Sequence, residues 1–131
     1  MQQHLEPAPR SLVVIVVDDD AAVRNSLKFV LELEGFGVRT YASAQQLLSE
    51  TELTDCDCLV VDQNMPDMNG LELIAKLRSR NVRSPAILIT SHPNPAMRAS
   101  ATERDIAIVE KPLFGSVLLD GIRQVTMRPS P

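Results

Sequence analysis

The sequence predicts an α/β domain in which one parallel sheet of five strands carries helices on both of its faces. Short apolar runs that do not alternate with polar residues recur along the chain, for example at residues 12–17 and 58–61. Such runs are typical of strands that are buried on both faces, as the strands of parallel sheets are. A segment with helix signals follows each of the five expected strands, and this alternation indicates a doubly wound parallel sheet.

The elements can be placed in order from apolar spacing and cap residues. The expected strands span residues 12–17, 38–41, 58–61, 86–90 and 106–109. Gly35 is expected to end the first helix, and Ser43 with Gln46 resembles a capping box that opens the second. Asn94 and Pro95 predict the start of a short fourth helix over residues 95–103. The apolar positions expected on the first, second, third and fifth helices are Val23, Leu27, Val30 and Leu31; Leu47 and Leu48; Leu71, Ile74 and Leu77; and Leu118, Ile122 and Val125.

Length and composition restrict the class of protein. The 131 residues suffice for one domain, expected at residues 11–127 between a flexible arm at 1–10 and a tail at 128–131. A net charge of −4 argues against a broad basic surface for nucleic acid, and no apolar run is long enough to span a membrane. Residues 1–9 lack the pattern of a signal peptide, and the two cysteines cannot form a disulfide framework, so a cytoplasmic location is the default expectation.

Polar groups follow four of the expected strands. Three carboxylates, Asp18, Asp19 and Asp20, follow the first strand, and Asp62 follows the third. Thr90 ends the fourth strand, and Lys111 follows the fifth. Ligands of open α/β sheets bind outside the carboxyl ends of the strands, so these groups are expected to converge on one pocket. Clustered carboxylates repel one another, and hard oxygen ligands of this kind suit Mg²⁺.

The order of these groups resembles a known family. The motifs are Val17-Asp18-Asp19-Asp20, Asp62 with Pro66 four and Gly70 eight residues later, Thr90-Ser91, and Glu110-Lys111-Pro112. Together they resemble the receiver domain of two-component response regulators, whose fold is the flavodoxin-like, CheY-like (βα)5 sheet. The resemblance extends from about Leu12 to Val125.

The resemblance implies a role for each site residue. Asp62 would be the phosphoacceptor, Thr90 would hydrogen-bond a phosphoryl oxygen, and Lys111 would pair with the phosphate. Mg²⁺ would be the cofactor, and the implied metal site consists of Asp18 through a bound water, the carboxylates of Asp19 and Asp62, and the backbone carbonyl of Asn64. The Lys111–Pro112 peptide bond would be cis. Asp20 is instead expected to start the first helix.

The predicted function is a stand-alone receiver that is not an enzyme, beyond accepting a phosphoryl group and losing it again. A sensor histidine kinase or a histidine phosphotransfer protein would supply the phosphate, and the output would be binding to a downstream protein or to a second copy. The expected output face comprises the fourth helix, the fifth strand and the fifth helix, with Phe114, Leu118 and Leu119 as its fixed part. Ile108 stands where the family commonly carries an aromatic residue, so the usual switch is expected to be altered. No nucleic-acid or membrane partner is expected.

Two other functions are open on the sequence. A receiver that no longer uses phosphate could act as a constitutive adapter, and Ile108 favours this alternative slightly. An aspartate-nucleophile phosphatase of the haloacid-dehalogenase type would use Asp18 and Asp20, but Ala22 occupies the position that needs Thr or Val in its motif.

Overall fold

The computed structural model describes residues 11–50, 56–113 and 116–127, and these form one sheet flanked by helices. The strands are β1 (Val13–Val17), β2 (Gly37–Tyr41), β3 (Cys58–Asp62), β4 (Ala86–Thr90) and β5 (Ala107–Glu110). The helices are α1 (Ala21–Leu33), α2 (Ala44–Leu48), α3 (Gly70–Ser79), α4 (Pro95–Glu103) and α5 (Val117–Thr126). The predicted α/β class and the order of its elements are confirmed.

The sheet is parallel throughout and open at both edges. Its strand order is β2-β1-β3-β4-β5, and every neighbouring pair is parallel. The order reverses between β1 and β3, where Val17 lies opposite Val61. Chain segments leave these two strands in opposite directions, which opens a crevice at the carboxyl end of the sheet. Asp18 and Asp62 lie at this crevice.

The central strands β1, β3 and β4 are buried on both faces, which explains why their sequences do not alternate. Ile15 and Val17 pack into a core with residues of α2, α3 and α4, whereas Val14 and Val16 pack into a second core with residues of α1 and α5. Successive strand side chains point to opposite faces, so a strand covered on both sides is apolar at every position. Helices α2, α3 and α4 therefore cover one face of the sheet, and α1 and α5 cover the other.

Some expectations about helix faces were wrong. Val30 was expected on the buried face of α1, yet it is 44% exposed, because Leu27 and Leu31 fill the contact with the sheet. In α3, Leu73 is fully buried together with the predicted Ile74 and Leu77, although the apolar spacing had not selected it, and Leu71 is only partly buried. The capping box at α2 is also modified, since Gln46 Oε1 accepts from the amide of Ala42 rather than from that of Ser43.

Other expectations are confirmed or lie outside the described residues. Asn94 caps α4 as predicted, and Leu118, Ile122 and Val125 form the buried face of α5. Leu118 is only 6% exposed, so it cannot form part of a partner surface as had been expected. Phe114, the arm at 1–10 and the tail at 128–131 lie outside the described residues. Among the helices of the described part, none is long and apolar enough to span a membrane.

Candidate functional site

Two buried carboxylates form the centre of the crevice. Asp18 follows β1 and is completely buried, and Asp62 ends β3 and is 4% exposed. The backbone amide of Asp18 donates to the carbonyl of Tyr41, which continues the β1–β2 pairing and fixes the position of the residue. Asp18 Oδ1 accepts from the amide of Asp20 at 2.9 Å, and Asp62 Oδ1 accepts from the amide of Asn64 at 3.2 Å. One oxygen of each carboxylate is therefore held by the backbone that follows it.

Lys111 brings a positive charge to both carboxylates. Its Nζ lies 3.2 Å from Oδ2 of Asp18 and 3.4 Å from Oδ2 of Asp62. The backbone positions it, since the amide of Lys111 donates to the carbonyl of Thr90 at 2.8 Å. The Lys111–Pro112 peptide bond is cis, as expected. Burial alone would lower the pKa of Lys111, but the charges of Asp18 and Asp62 outweigh it and raise the pKa above its ordinary value.

The surroundings of Asp62 make its carboxyl group less acidic than usual. Burial and then the negative charge of Asp18 raise its pKa from 3.8 to about 6, although the Asn64 amide and Lys111 lower it in part. Two like charges in a shared site disfavour ionisation of both, and a nearby cation only partly offsets that effect. The ionised carboxylate can act as a nucleophile, and the negative charges of Asp62 and Asp18 together favour an additional cation in the pocket.

The carboxylates fit a divalent metal ion. Oxygen atoms of Asp18, Asp19 and Asp62 lie within 4.8 Å of one another, with Asp19 exposed at the mouth and the other two buried. Hard oxygen donors together with open positions for water are what Mg²⁺ requires. The predicted carboxylate ligands are thus brought together by the fold. Asp20 is not part of this group, because its Oδ1 accepts from the amides of Ala22 and Val23 and so caps α1.

The remaining predicted residues lie around this pair. Thr90 ends β4, next to β3, and is completely buried; its hydroxyl oxygen accepts from the amide of His92 at 3.3 Å. Asn64 lies two residues beyond Asp62 with its side chain exposed, at the start of the β3–α3 loop. All six predicted site residues therefore lie at the carboxyl edge of the sheet, at the ends of the adjacent strands β3 and β4 and in the loops that follow β1, β3 and β5.

Two positioning contacts had not been expected from the sequence. Arg24 on α1 donates from Nη1 to the carbonyl of Asp18 at 2.7 Å, which ties the first helix to the acidic loop. Gln63, directly after Asp62, is 9% exposed and bonds to the amide of Leu71 at the start of α3. A polar residue directly after a buried strand was a usable signal for Gln63, whereas Arg24 resembles any solvated helix residue in the sequence.

A mainly apolar groove leads away from Lys111 between α1 and α5. Its walls include Leu27 and Val30 from α1 and Leu119 from α5, and its inner end reaches Lys111 and Asp20. The volume is about 790 Å³. Phe29 and Leu33, also on α1, are 65% and 70% exposed. The groove is continuous with the acidic pocket.

Solved structures with this fold define the class of protein as CheY-like. A response regulator receiver domain protein from Methanospirillum hungatei JF-1 superposes with a TM-score of 0.82 at 27% identity, over 89% of this chain and 94% of that one. A structure of FixJ-N superposes with a TM-score of 0.80 at 32% identity, over 93% of this chain and 98% of that one. Such coverage means that the fold comparison involves nearly the whole of each domain.

The family model for the response regulator receiver domain matches residues 14–123, and the chain belongs to this family. Transcriptional regulatory protein FixJ of Azorhizobium caulinodans is 36% identical over 116 residues, which is 88% of this chain and 55% of that protein. FixJ of Rhizobium meliloti is 34% identical over 114 residues, which is 86% of this chain and 56% of that protein. The chain thus spans about half the length of these curated relatives, and it is the receiver domain of a two-component response regulator.

Proposed function

We propose that this receiver accepts a phosphoryl group on Asp62, with Mg²⁺ bound beside it, from a sensor histidine kinase or a histidine phosphotransfer protein. The observation that carries the proposal is the position of Asp62. It is a buried carboxylate at the switch point of the sheet, with Lys111 Nζ 3.4 Å from one oxygen and Asp18 and Asp19 alongside. A carboxylate can serve as the nucleophile of phosphoryl transfer, which depends mostly on positioning and charge neutralisation.

In the proposed transfer, a carboxylate oxygen of Asp62 attacks phosphorus while the bond from phosphorus to the donor nitrogen breaks. The donor histidine keeps that electron pair, and an acyl phosphate forms on Asp62. Lys111 is within reach to pair with the added negative charge, because its ammonium already contacts Asp62 Oδ2. Asp18 holds Lys111 in place through its own Oδ2. These two residues thus orient the cation before the reaction, which is the arrangement that lowers the cost of charge development.

The proposed metal ligands are the carboxylates of Asp19 and Asp62 and the carbonyl of Asn64, with Asp18 acting through a water. When bound there, Mg²⁺ supplies positive charge to the phosphoryl oxygens and orients them. The support from the structure is the group of carboxylate oxygens that lie within 4.8 Å of one another. The raised pKa of Asp62, caused first by burial and then by the charge of Asp18, agrees with a site where an added cation would stabilise the ionised carboxylate.

Thr90 is proposed to transmit the modification. Its buried hydroxyl stands at the end of β4, beside the strand that carries Asp62, and the loop to α4 begins immediately after it. A phosphoryl group on Asp62 would offer new acceptor oxygens to this hydroxyl. The hydroxyl oxygen now accepts from the amide of His92, so a change in its orientation would alter the support of that loop.

The apolar groove between α1 and α5 is proposed to receive the phosphodonor protein. It is continuous with the pocket at Lys111, and it carries apolar side chains that folding leaves uncovered. A donor histidine has to reach Asp62 from the carboxyl edge of the sheet, and a partner seated in this groove would present it there. The downstream partner is proposed to use the surface of α4, β5 and α5, and a second copy is a further candidate for it.

The chain is proposed to act in signalling rather than as an enzyme, in the cytoplasm, without nucleic-acid or membrane contact of its own. Its net charge of −4 supports the absence of a DNA surface on this domain. The single-domain organisation stays a prediction, because the curated relatives are about twice as long as the matched region. The phosphatase alternative is weakened because Asp20, its second carboxylate, caps α1. The adapter alternative is distinguished by the following experiment.

The test is phosphorylation by acetyl phosphate with MgCl₂, followed by intact mass and peptide mapping. The wild type is expected to gain one phosphoryl group, and Asp62→Asn none. Asp67→Asn is the matched control, because Asp67 is an exposed carboxylate of the same loop whose Oδ2 accepts from the amide of Gln45. Undiminished labelling of Asp62→Asn would overturn the proposal, absence of any labelling would favour the adapter, and continuous turnover of the donor would favour a phosphatase.

A further inference from the structure

We propose that Gln63 is a positioning residue for the Mg²⁺ site, acting on the loop that carries the Asn64 carbonyl. This inference rests on the proposed metal site and extends it to a residue that does not itself touch the metal. Gln63 lies between Asp62 and Asn64, the two proposed ligands of this loop, and is 9% exposed. A polar side chain buried at such a point has to be satisfied by a specific partner.

Three hydrogen bonds fix Gln63 in different directions. Its amide donates to the carbonyl of Ile89 at 2.9 Å and so continues the β3–β4 pairing. Its carbonyl accepts from the amide of Gly70 at 3.1 Å, and its side-chain Oε1 accepts from the amide of Leu71 at 3.1 Å. The residue therefore joins the end of β3 to β4 on one side and to the start of α3 on the other.

The side chain completes the capping of α3. The amides of Gly70, Leu71 and Glu72 would have no partner within the helix. Asn69 Oδ1 accepts from the amide of Glu72 at 2.9 Å, and the two acceptors of Gln63 serve the other amides. Without Oε1 of Gln63, the amide of Leu71 would lose its acceptor in a partly buried position, and leaving such a donor unpaired costs free energy of folding.

Close packing makes this junction sensitive to small shifts. A Cβ built on Gly70 would lie 2.7 Å from the carbonyl oxygen of Asp62 and 3.1 Å from the Cα of Gln63. The start of α3 thus rests directly on the backbone of the proposed phosphoacceptor. Residues 64–69 form a loop whose two ends meet at Gln63 and Gly70, so the position of the Asn64 carbonyl depends on this closure.

Residues that orient metal ligands without touching the metal typically change its affinity by about 10–100-fold when they are replaced. The replacement Gln63→Met keeps the length of the side chain and removes its acceptor. We expect this variant to bind Mg²⁺ about tenfold more weakly than the wild type in a calorimetric titration with MgCl₂. Gln46→Met is the matched control, because Oε1 of Gln46 also accepts a backbone amide, that of Ala42 at 2.8 Å, at the start of α2.

The two variants distinguish positioning from a general loss of stability. Both are expected to lower the melting temperature, but only Gln63→Met should weaken Mg²⁺ binding. Equal Mg²⁺ affinity in Gln63→Met and the wild type, or equal weakening in both variants, would overturn the inference. Absence of Mg²⁺ binding in the wild type would instead overturn the proposed metal site, and the inference with it.

A second measurement does not require a variant to fold. If Gln63 couples the loop to the metal, Mg²⁺ must tighten the same contacts, because such coupling is reciprocal. In the wild type, MgCl₂ is expected to slow hydrogen exchange at the amides of Gly70 and Leu71 about fivefold more than at the amide of Ala42. Equal slowing at all three amides would contradict the proposed role of Gln63.

Discussion

The ammonium nitrogen of Lys111 lies 3.2 Å from Oδ2 of Asp18, a residue 93 positions earlier in the chain. The same nitrogen lies 3.4 Å from Oδ2 of Asp62. One lysine therefore joins the loops that follow β1 and β5. Its positive charge also offsets the repulsion between the carboxylates of Asp18 and Asp62. This arrangement relates the stability of the domain to the chemistry proposed for its pocket.

Replacement of Lys111 by Met should destabilise the metal-free protein. The variant leaves Asp18, which is fully buried, without its cation, and removing one partner of a buried charge pair typically costs about 3–5 kcal/mol. Because Lys111 retains 20% exposure of its side chain, we expect a smaller loss, of about 1–3 kcal/mol at pH 7. Chemical denaturation in EDTA measures this loss in the free energy of unfolding.

Lys76→Met, at an exposed site on α3, is the control and should change stability by less than about 0.5 kcal/mol. Equal effects of the two replacements would contradict the role of the ion pair.

Asp62 should make the metal-free domain less stable as pH rises. Its pKa is raised from 3.8 to about 6 on folding, so the folded state holds this proton more tightly. The resulting stabilisation is complete below the unfolded pKa and is lost as pH rises through the folded one. Asp62→Asn should therefore gain stability relative to the wild type between about pH 4 and 6, by roughly 1–3 kcal/mol at about 1.4 kcal/mol per pKa unit.

Denaturation curves of the wild type and Asp62→Asn across this pH range, with EDTA present, provide the measurement. Their difference cancels the carboxyl groups that are distant from Asp62, and it reports Asp62 together with the charged groups that it contacts. Glu103→Gln, at an exposed position of α4, is the control and should parallel the wild type. A constant difference between Asp62→Asn and the wild type from pH 4 to 7 would contradict the raised pKa.

Magnesium should stabilise the folded protein. A ligand that binds only the native state adds about 2.7 kcal/mol when its concentration is 100 times the dissociation constant. We expect the melting temperature to rise with millimolar MgCl₂ in the wild type and to rise much less in Asp19→Asn, which loses one proposed ligand. Glu32→Gln on the exposed side of α1 should respond like the wild type. An identical response of Asp19→Asn and the wild type would remove Asp19 from the site.

Much of this fold and site could be predicted because strand ends in a parallel sheet share one edge. The positions of Asp18, Asp62, Thr90 and Lys111 in the sequence were sufficient to place them together, since each follows an apolar run. The helix faces were harder to predict. Apolar spacing selected both Val30 and Leu31, but only Leu31 is buried in the folded domain, whereas Val30 lines the groove between α1 and α5.

The positioning contacts could not be predicted for a different reason. The hydrogen bond of Gln63 to Leu71 depends on how the loop of residues 64–69 turns back onto β3, which no local pattern specifies. The contact of Arg24 with the Asp18 carbonyl likewise depends on the direction in which α1 leaves the crevice. Such contacts are consequences of tertiary geometry, whereas the reactive groups follow from strand boundaries.

A negative charge introduced into the groove between α1 and α5 should reduce phosphorylation by protein donors but not phosphorylation by small donors. Val30 lines this groove and is 44% exposed, so Val30→Glu places a carboxylate there without opening the core. Phosphotransfer from a histidine kinase or phosphotransfer protein should fall by tenfold or more, about 1.4 kcal/mol, while acetyl phosphate labels the variant at the wild-type rate. Glu103→Gln again serves as a control, on the opposite side of the sheet. Loss of both reactions would indicate damage to the pocket, and loss of neither would exclude this surface for the donor.

The output is expected to involve residues 91–104 as one moving segment. Thr90 precedes this segment, and α4 buries only Ala101 among its residues, so its docking on the sheet is weak. Ile108 on β5 has no ring to swing, and a β-branched side chain is stiff at χ1. At the far end, Arg78 donates from Nη1 to the carbonyl of Arg104 at 2.7 Å, which gives the segment a defined anchor.

Hydrogen exchange with and without beryllofluoride and MgCl₂, a mimic of the phosphoryl group, would test this mechanism. Exchange rates should change across residues 91–104 in the wild type and should not change in Asp62→Asn, which cannot hold the mimic. Arg78→Met should enlarge the change near Arg104, because the anchor at that end is removed. Changes that spare residues 91–104 and occur elsewhere would show that the switch uses another path, even with Asp62 as the phosphoacceptor.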